Sequence, residues 1–269
     1  FSELKPIANS LENKINNYYK QGEAEKISLY LRALNSGRWF GINEDEKYSP
    51  ASLLKVIVMM AYLKNAEENE DFLSKKIKYH LTAEEEKTPV PFRLEPDKVY
   101  SIWEIIENMI IHSSNVSLNI LVENIDQVYL DDVFNDLHID IPAEAQENKI
   151  AIMSVREYSL VLRVLYNGTY LNPEMSEKAL ALLAQAKYDK GIIKGVPSNL
   201  QVVRKYGSRF YDNKIEFHDC GIVYYPEHPY LICLMTRGKD IEKLTKTAAE
   251  ISSFTYSELD NFFKRENKQ

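Results

Sequence analysis

The order of strand-like and helix-like segments is the feature that most constrains the fold of this chain. Residues 27–34 alternate in polarity and are rich in β-formers, and Asn35-Ser36-Gly37 turns the chain into residues 38–42, which predicts a β-hairpin. Strand patterns return only in residues 199–205, 216–225 and 230–236. The most economical arrangement joins both groups in one five-stranded antiparallel sheet, with the intervening chain inserted between its second and third strands.

Helical patterns precede, separate and follow these strand segments. Apolar residues recur every three or four positions in residues 3–20, which predicts an amphipathic helix. Residues 240–264 predict a long helix at the end of the chain. The middle predicts helices over 52–65, 70–79, 101–111, 116–125, 130–137, 155–166 and 176–185. We therefore predict one α/β (α+β) domain over residues 1–269. Its α/β lobe comprises 1–48 plus 198–269, and its inserted all-α lobe comprises 49–197.

Composition excludes several classes of function. Apolar residues make up 45% of the 269 residues, enough for a sizeable core. The nine glycines form neither G-x-G nor G-x-x-x-x-G-K, so the usual nucleotide-binding loops cannot be built. The formal net charge is −7, and no long basic block is present, so nucleic acid is not expected as a partner.

The cysteines and the apolar runs indicate whether a disulfide, a metal site or a membrane-spanning helix is expected. Cys220 and Cys233 lie on two strands of a predicted hairpin, where a disulfide is conceivable but small buried thiols are the prediction. No Cys or His spacing fits zinc, so neither a metal nor a cofactor is expected. The longest apolar run, 56–63, has the length of a buried helix segment. The chain begins at Phe1, which leaves export and a removed signal or anchor open.

The sharpest local motif is Ser52-Leu53-Leu54-Lys55 at the start of an apolar helix. Residues three apart share a helix face, so the pattern places an amine beside a hydroxyl at a helix N-terminus. Free N–H groups there favour negative charge developing on a nucleophile. A lysine followed by five apolar residues is expected to be buried, which depresses its pKa and suits it to act as a base. The alternative is an ordinary capping serine with a solvated lysine.

Two further motifs follow in order. Ser113-Ser114-Asn115 comes after a predicted helix, and Lys205-Tyr206-Gly207-Ser208 ends a predicted strand. Together the three resemble the S-x-x-K, S-D-N and K-T-G motifs of the penicillin-recognising serine enzymes, and the layout from residue 4 to 263 is similar to a class A β-lactamase or a stand-alone serine hydrolase relative. Taken singly, Ser113-Ser114-Asn115 is more typical of a helix N-cap, and Lys205 is more typical of a solvated strand end.

The resemblance implies a role for each matching residue. Ser52 is implied as the nucleophile that becomes acylated, Lys55 as its proton acceptor, and Ser113 as the proton donor to the leaving nitrogen. Asn115 is implied to hold Lys55 and the substrate amide, and Lys205 to attract the substrate carboxylate. The backbone N–H groups of Ser52 and Ser208 are implied as the oxyanion hole, with Gly207 allowing close approach of the substrate.

At several positions the sequence differs from the family motifs, and each difference leads to a prediction. Ser114 replaces the usual Asp, on the side expected to face away from the substrate. Tyr206 replaces a small hydroxyl residue, so it is expected to alter substrate scope. Glu144 precedes Asn148 with the E-x-x-x-N spacing of the deacylating carboxylate and is the candidate for that role. His218, in the pair His218-Asp219, is predicted to be a sheet-edge or structural histidine, and no arginine matches the carboxylate-binding position.

The expected activity is hydrolysis of a β-lactam or a related amide through an acyl-Ser52 intermediate. A D,D-peptidase or other cell-wall amidohydrolase is one alternative, with a D-Ala-D-Ala-like peptide as substrate. A binding or sensory module that keeps the fold without turnover is another. Because members of the resembling family work outside the cytoplasmic membrane, an extracellular or cell-surface location is expected.

Overall fold

The computed structural model describes residues 3–69, 71–82, 92–139 and 152–266. Contacts divide these residues into two compact units. We call the first the sheet unit, and it holds residues 3–51, 152–163 and 188–266. The second is the helical unit, and it holds the described residues of 52–139 and 164–187.

The sheet unit contains the predicted five-stranded antiparallel sheet. Its strands are β1 (Lys26–Ala33), β2 (Trp39–Ile42), β5 (Val202–Tyr211), β6 (Lys214–Val223) and β7 (Tyr230–Gly238). They lie in the order β2-β1-β7-β6-β5, and every neighbouring pair is antiparallel. The early hairpin and the three late strands therefore join in one sheet, as predicted, and β5 forms one edge.

Two terminal helices cover one face of this sheet. Helix α1 (Lys5–Lys20) buries Ile7, Leu11, Ile15 and Tyr18, which recur every three or four residues. It packs against the long helix α8 (Ile241–Glu266), which also packs on β6 and β7. Both helices match the predicted segments closely, because a long amphipathic stripe is legible in the sequence alone.

The helical unit is built around α2 (Leu54–Ala66), whose side chains are almost all buried. Around α2 pack α3 (Ile102–Ile111), α4 (Asn115–Asn124), α5 (Gln127–Asp136) and α7 (Pro173–Leu183). Helix α6 (Val155–Asn167) begins in the sheet unit and ends in the helical unit. Among the described residues, no helix is long and apolar enough to cross a membrane.

The helix predicted over residues 70–79 is wrong. That stretch contains a 3₁₀ turn, Phe72–Ser74, followed by strand β3 (Lys76–Lys78). Strand β3 pairs antiparallel with β4 (Val99–Ser101), and Ile77 lies opposite Tyr100. The pairing partner lies more than twenty residues away along the chain, so local periodicity could not reveal it.

The lobe boundaries predicted from the sequence differ from the two units. Residues 152–163 and 188–197, placed in the helical lobe by the prediction, group with the sheet. Two backbone hydrogen bonds of 3.0 and 2.9 Å join Tyr48 to Met153, and Arg204 donates to the Lys190 carbonyl at 3.1 Å. A hydrophobic pattern shows that a segment has a buried face but does not show which element covers it.

The prediction that the two cysteines are free buried thiols is also wrong. Cys220 and Cys233 are directly opposite in the β6–β7 register and are joined by a disulfide. Both residues are fully buried, which agrees with the part of the prediction that placed them in the core. Spacing along the sequence does not give strand register, and register decides whether two cysteines can bond.

Candidate active site

The candidate nucleophile lies at the beginning of α2. A 3₁₀ turn, Ala51–Leu53, leads into the helix, and Ala51 has a φ of 49°, a left-handed conformation uncommon for a residue with a Cβ. Ser52 is half-buried, whereas Lys55 is fully buried. The helical spacing brings the Lys55 Nζ to 3.0 Å from the Ser52 Oγ. The predicted amine–hydroxyl pair is therefore present.

A second segment of the helical unit surrounds the same amine. Lys55 Nζ donates to the Ser113 carbonyl oxygen at 2.6 Å, to the Ser113 Oγ at 3.3 Å and to the Asn115 Oδ1 at 2.7 Å. Ser113 lies in the short connection between α3 and α4 and has a φ of 55°. Three residues of the first two motifs, Ser52, Ser113 and Asn115, thus converge on the Lys55 nitrogen, although Ser113 and Asn115 lie 58 and 60 residues from Lys55 along the chain.

Ser114 does not take part in this convergence. Its side chain caps α4 by accepting a hydrogen bond of 3.2 Å from the Ser117 N–H. The helix-cap interpretation is therefore correct for Ser114, while its neighbours Ser113 and Asn115 bind Lys55. Capping is a role that serine and aspartate both perform, so the replacement of the usual aspartate is locally conservative.

Burial sets the protonation state of Lys55. Removal of the side chain from water disfavours the ammonium form and lowers the pKa of Lys55 to about 7. A large share of the side chains therefore carries a neutral amine near neutral pH. A neutral amine 3.0 Å from a hydroxyl can accept its proton, so this arrangement can generate a nucleophilic Ser52 oxygen.

The third motif lies in the sheet unit, on β5. Lys205 is fully buried, and its Nζ donates to the Tyr206 carbonyl oxygen at 2.9 Å and lies 4.5 Å from the centre of the Tyr206 ring. That ring stacks on Tyr188 with a centroid separation of 3.8 Å. Gly207 is buried and Ser208 is exposed. The prediction that this motif ends a strand is wrong, because β5 continues to Tyr211 in register with β6.

Comparison with known proteins decides the family. The sequence profile of the β-lactamase enzyme family, Beta-lactamase2, matches residues 10–259. The chain belongs to this family. Family and fold together support a hydrolase of the serine β-lactamase or penicillin-binding-protein kind. No curated protein sequence matches the chain.

Solved structures agree with this β-lactamase family assignment at the level of the fold. A class A β-lactamase from Mycobacterium abscessus is 16% identical, with a TM-score of 0.79 over 93% of this chain and 99% of that chain. A β-lactamase from Chitinophaga pinensis is 17% identical, with a TM-score of 0.78 over 93% and 99%. The structure of PBP-A is 17% identical, with a TM-score of 0.76 over 94% and 96%.

The remaining candidates in this β-lactamase family member are structural or undescribed. His218 is fully buried in β6, an interior strand, and its Nε2 lies 2.9 Å from the Ser49 carbonyl oxygen. Burial lowers the pKa of His218 to about 4, so it is neutral near pH 7. The prediction that His218 is structural is confirmed. Glu144, the candidate deacylating base, lies outside the described residues.

Two arginines beside the third motif also have structural partners. Arg204 forms a buried ion pair with Asp219, with its Nη1 2.6 Å from the Oδ2. Arg209 donates from its Nη1 to the Ser49 Oγ at 2.9 Å. The sequence offered no basis for assigning either arginine, because both partners are distant along the chain.

Sequence reasoning missed a buried carboxylate close to the chain segment that precedes Ser52. Glu216, which is 1% exposed, accepts hydrogen bonds from the Ser49 N–H at 3.1 Å, the Tyr211 hydroxyl at 2.9 Å and the Arg237 Nε at 3.0 Å. This network fixes the backbone at Ser49, three residues before the nucleophile. The sequence offers no clear signal for this role, because the predicted strand 216–225 also contains the charged or polar residues His218 and Asp219.

Proposed function

We propose that this protein is a serine acyl-enzyme hydrolase that acts on β-lactams or related amides, with Ser52 as its nucleophile. The observation that carries the proposal is the contact of 3.0 Å between the Ser52 Oγ and a buried amine whose pKa is lowered to about 7. An ordinary surface lysine, with a pKa near 10.4, holds its proton too tightly to activate a hydroxyl at neutral pH. Family membership agrees with this chemistry.

The proposed reaction begins with transfer of the Ser52 proton to the neutral Lys55 amine. The Ser52 oxygen attacks the carbonyl carbon, and the C–N bond of the amide then breaks. Ser113 donates its hydroxyl proton to the departing nitrogen and regains a proton from the Lys55 ammonium, whose Nζ lies 3.3 Å from the Ser113 Oγ. Water then hydrolyses the acyl ester and restores Ser52. Asn115 orients Lys55 throughout through its contact of 2.7 Å.

Roles for the β5 motif rest on the family pattern. We propose that Lys205 attracts a substrate carboxylate and that the backbone N–H groups of Ser52 and Ser208 stabilise the oxyanion. The phenol of Tyr206 is proposed to restrict which substrates are accepted, since it replaces a small hydroxyl. We also propose that the protein works outside the cytoplasmic membrane, where substrates of this class occur.

A D,D-peptidase that forms a long-lived acyl-enzyme with β-lactams is the second candidate. It is favoured by the sequence around Glu144, the candidate carboxylate for activating the hydrolytic water, because that segment lacks the residues that usually surround this glutamate in the family. A mutant of PBP-A, which is similar in fold, has been solved as an acyl-enzyme complex with penicillin G.

Intact-mass spectrometry tests the proposal. Incubation with benzylpenicillin is expected to add the mass of the opened drug to the wild type, and Ser52→Ala is expected to remain unmodified. Ser74→Ala, which alters an exposed serine of the same unit, is the matched control and is expected to be acylated normally. Loss of the adduct within seconds supports a β-lactamase, whereas persistence for hours supports the peptidase. Absence of any adduct together with no consumption of benzylpenicillin, or an adduct on Ser52→Ala, contradicts the proposed nucleophile.

A further inference from the structure

The Cys220–Cys233 disulfide lies in the same cross-strand row as Lys205. In the antiparallel register, Lys205 on β5 is opposite Cys220 on β6, Cys220 is opposite Cys233 on β7, and Cys233 is opposite Tyr30 on β1. Side chains at directly opposed positions project to the same face of the sheet and lie about 4.5–5.5 Å apart at their Cβ atoms. Lys205 and the disulfide are therefore neighbours on one face.

This row is enclosed. Lys205, Cys220 and Cys233 are all 0% exposed, and Tyr30 is 2% exposed. A buried lysine stem takes its direction from the side chains that pack around it, because its four-carbon chain is otherwise flexible. Nine opposed pairs join β6 to β7, and the pair that is covalently bonded is the one in the row of Lys205.

We infer that the disulfide positions Lys205 to bind the substrate carboxylate. The covalent bond fixes the spacing of β6 and β7 beside Lys205, and the buried Cys220 is the residue directly opposite Lys205. Without the bond, β6 and β7 are no longer covalently joined beside Lys205 and the side chains around its stem can move, so the ammonium group is held less firmly. Cys220 and Cys233 are then positioning residues. This inference rests on the proposed function, in which Lys205 binds the carboxylate.

A matched pair of substrates separates positioning from general loss of structure. Benzylpenicillin carries the carboxylate, and its methyl ester does not. For Cys220→Ala/Cys233→Ala we expect the acylation efficiency with benzylpenicillin to fall about tenfold, because small displacements of a binding group are costly, and that with the ester to change less than about twofold. Lys205→Met gives the largest effect expected on the acid-to-ester ratio, since it removes the ammonium group and should abolish the preference for the acid over the ester.

A control variant addresses stability. Ile232→Ala alters the residue next to Cys233 on the same strand, also 0% exposed, whose side chain lies on the opposite face of the sheet. It is expected to lower the melting temperature while leaving the acid-to-ester ratio unchanged. If the double alanine variant does not fold, the reduced wild type replaces it in the experiment. The reduced protein is then reoxidised with oxidised glutathione. Formation of the disulfide removes two electrons and two protons from the thiols, and oxidised glutathione accepts them as it is converted into two molecules of glutathione.

The outcomes are distinct. The inference is supported if the double variant loses acylation efficiency with the acid but not with the ester. The reduced wild type should show the same loss, and reoxidation should reverse it. An unchanged acid-to-ester ratio without the disulfide, while Lys205→Met abolishes the preference, overturns the inference and leaves the proposed function intact. An unaltered preference in Lys205→Met overturns the assignment of the carboxylate to Lys205 and the inference with it. A wild type that neither substrate acylates overturns the proposed function itself.

Discussion

The Lys55 amine nitrogen lies 3.0 Å from the Ser52 hydroxyl oxygen, and the Lys55 side chain is fully buried. The two residues are one helical turn apart at the beginning of α2, so the backbone alone brings them together. Burial of the lysine then lowers its pKa to about 7. Proximity follows from the local sequence, whereas basicity follows from the packing of the helix, and the proposed chemistry needs both.

Replacement of the amine by a permanently charged group should stop acylation. Lys55→Arg keeps the positive charge but removes the group that accepts the Ser52 proton, because a guanidinium stays protonated. Loss of a general base costs about 10²–10⁴-fold in rate, so we expect a loss of that size in the acylation burst with a chromogenic cephalosporin. Lys64→Arg, on the same helix and 37% exposed, is the control and should retain wild-type acylation. Normal acylation by Lys55→Arg would exclude the lysine as base.

Acylation should increase with pH across the neutral range. Below pH 7 the ammonium form of Lys55 predominates and cannot accept a proton, so the rate should fall about tenfold for each further pH unit. Above pH 7 the rate should reach a plateau. His218, with a pKa lowered to about 4, does not change charge in this range. Stopped-flow acylation measured from about pH 5 to 9 checks the profile. A rate that is flat, or that decreases as pH rises, is incompatible with a lysine base of pKa about 7.

A negative charge beside Lys55 should move that pH profile. Asn115 Oδ1 lies 2.7 Å from the Lys55 Nζ, and Asn115→Asp replaces the neutral oxygen by a carboxylate of similar shape. A carboxylate at this distance stabilises the ammonium form and raises the pKa of Lys55 by about 1–3 units. The midpoint of acylation should therefore shift to higher pH. Asn124→Asp, at the other end of α4, serves as the control and should leave the midpoint unchanged. An unshifted midpoint in Asn115→Asp would show that Lys55 does not set the profile.

The sequence was most informative where the relevant contacts are local. Helix α1 and the Ser52–Lys55 pair both follow from helical spacing, and the early hairpin follows from an alternating pattern with a turn between its strands. Convergence of Ser113 and Asn115 on Lys55 spans about 60 residues and could be anticipated only from a resemblance to a family with the same ordered motifs.

The failures share the opposite cause. The helix predicted over residues 70–79 is replaced by a strand whose partner comes after residue 98, and the two cysteines are bonded because of a register that composition does not specify. The same is true of Glu216 and Ser49, which lie 167 residues apart and meet through a buried hydrogen bond. Pairings over such distances depend on how the strands align in the assembled sheet. The hydrophobic pattern indicates which residues are buried but does not indicate their partners.

The buried ion pair between Arg204 and Asp219 should be a strong determinant of stability. Their side chains are 2% and 0% exposed, and Asp219 Oδ2 also accepts the Ile192 N–H at 2.9 Å. Asp219→Ala leaves the guanidinium buried without its counterion, so the free energy of unfolding should fall by about 3–5 kcal/mol. Urea unfolding measures this loss.

Two further variants identify the source of that loss. Glu95→Ala breaks an ion pair with Lys98 whose side chains are 70% and 58% exposed, and should leave the free energy of unfolding almost unchanged, because water screens an exposed pair. Arg204→Met/Asp219→Leu removes both buried charges, so it should be markedly more stable than Asp219→Ala, because no charge remains unpaired in the core. If Asp219→Ala costs no more than Glu95→Ala, or if the double variant is the least stable, the penalty does not come from an uncompensated charge.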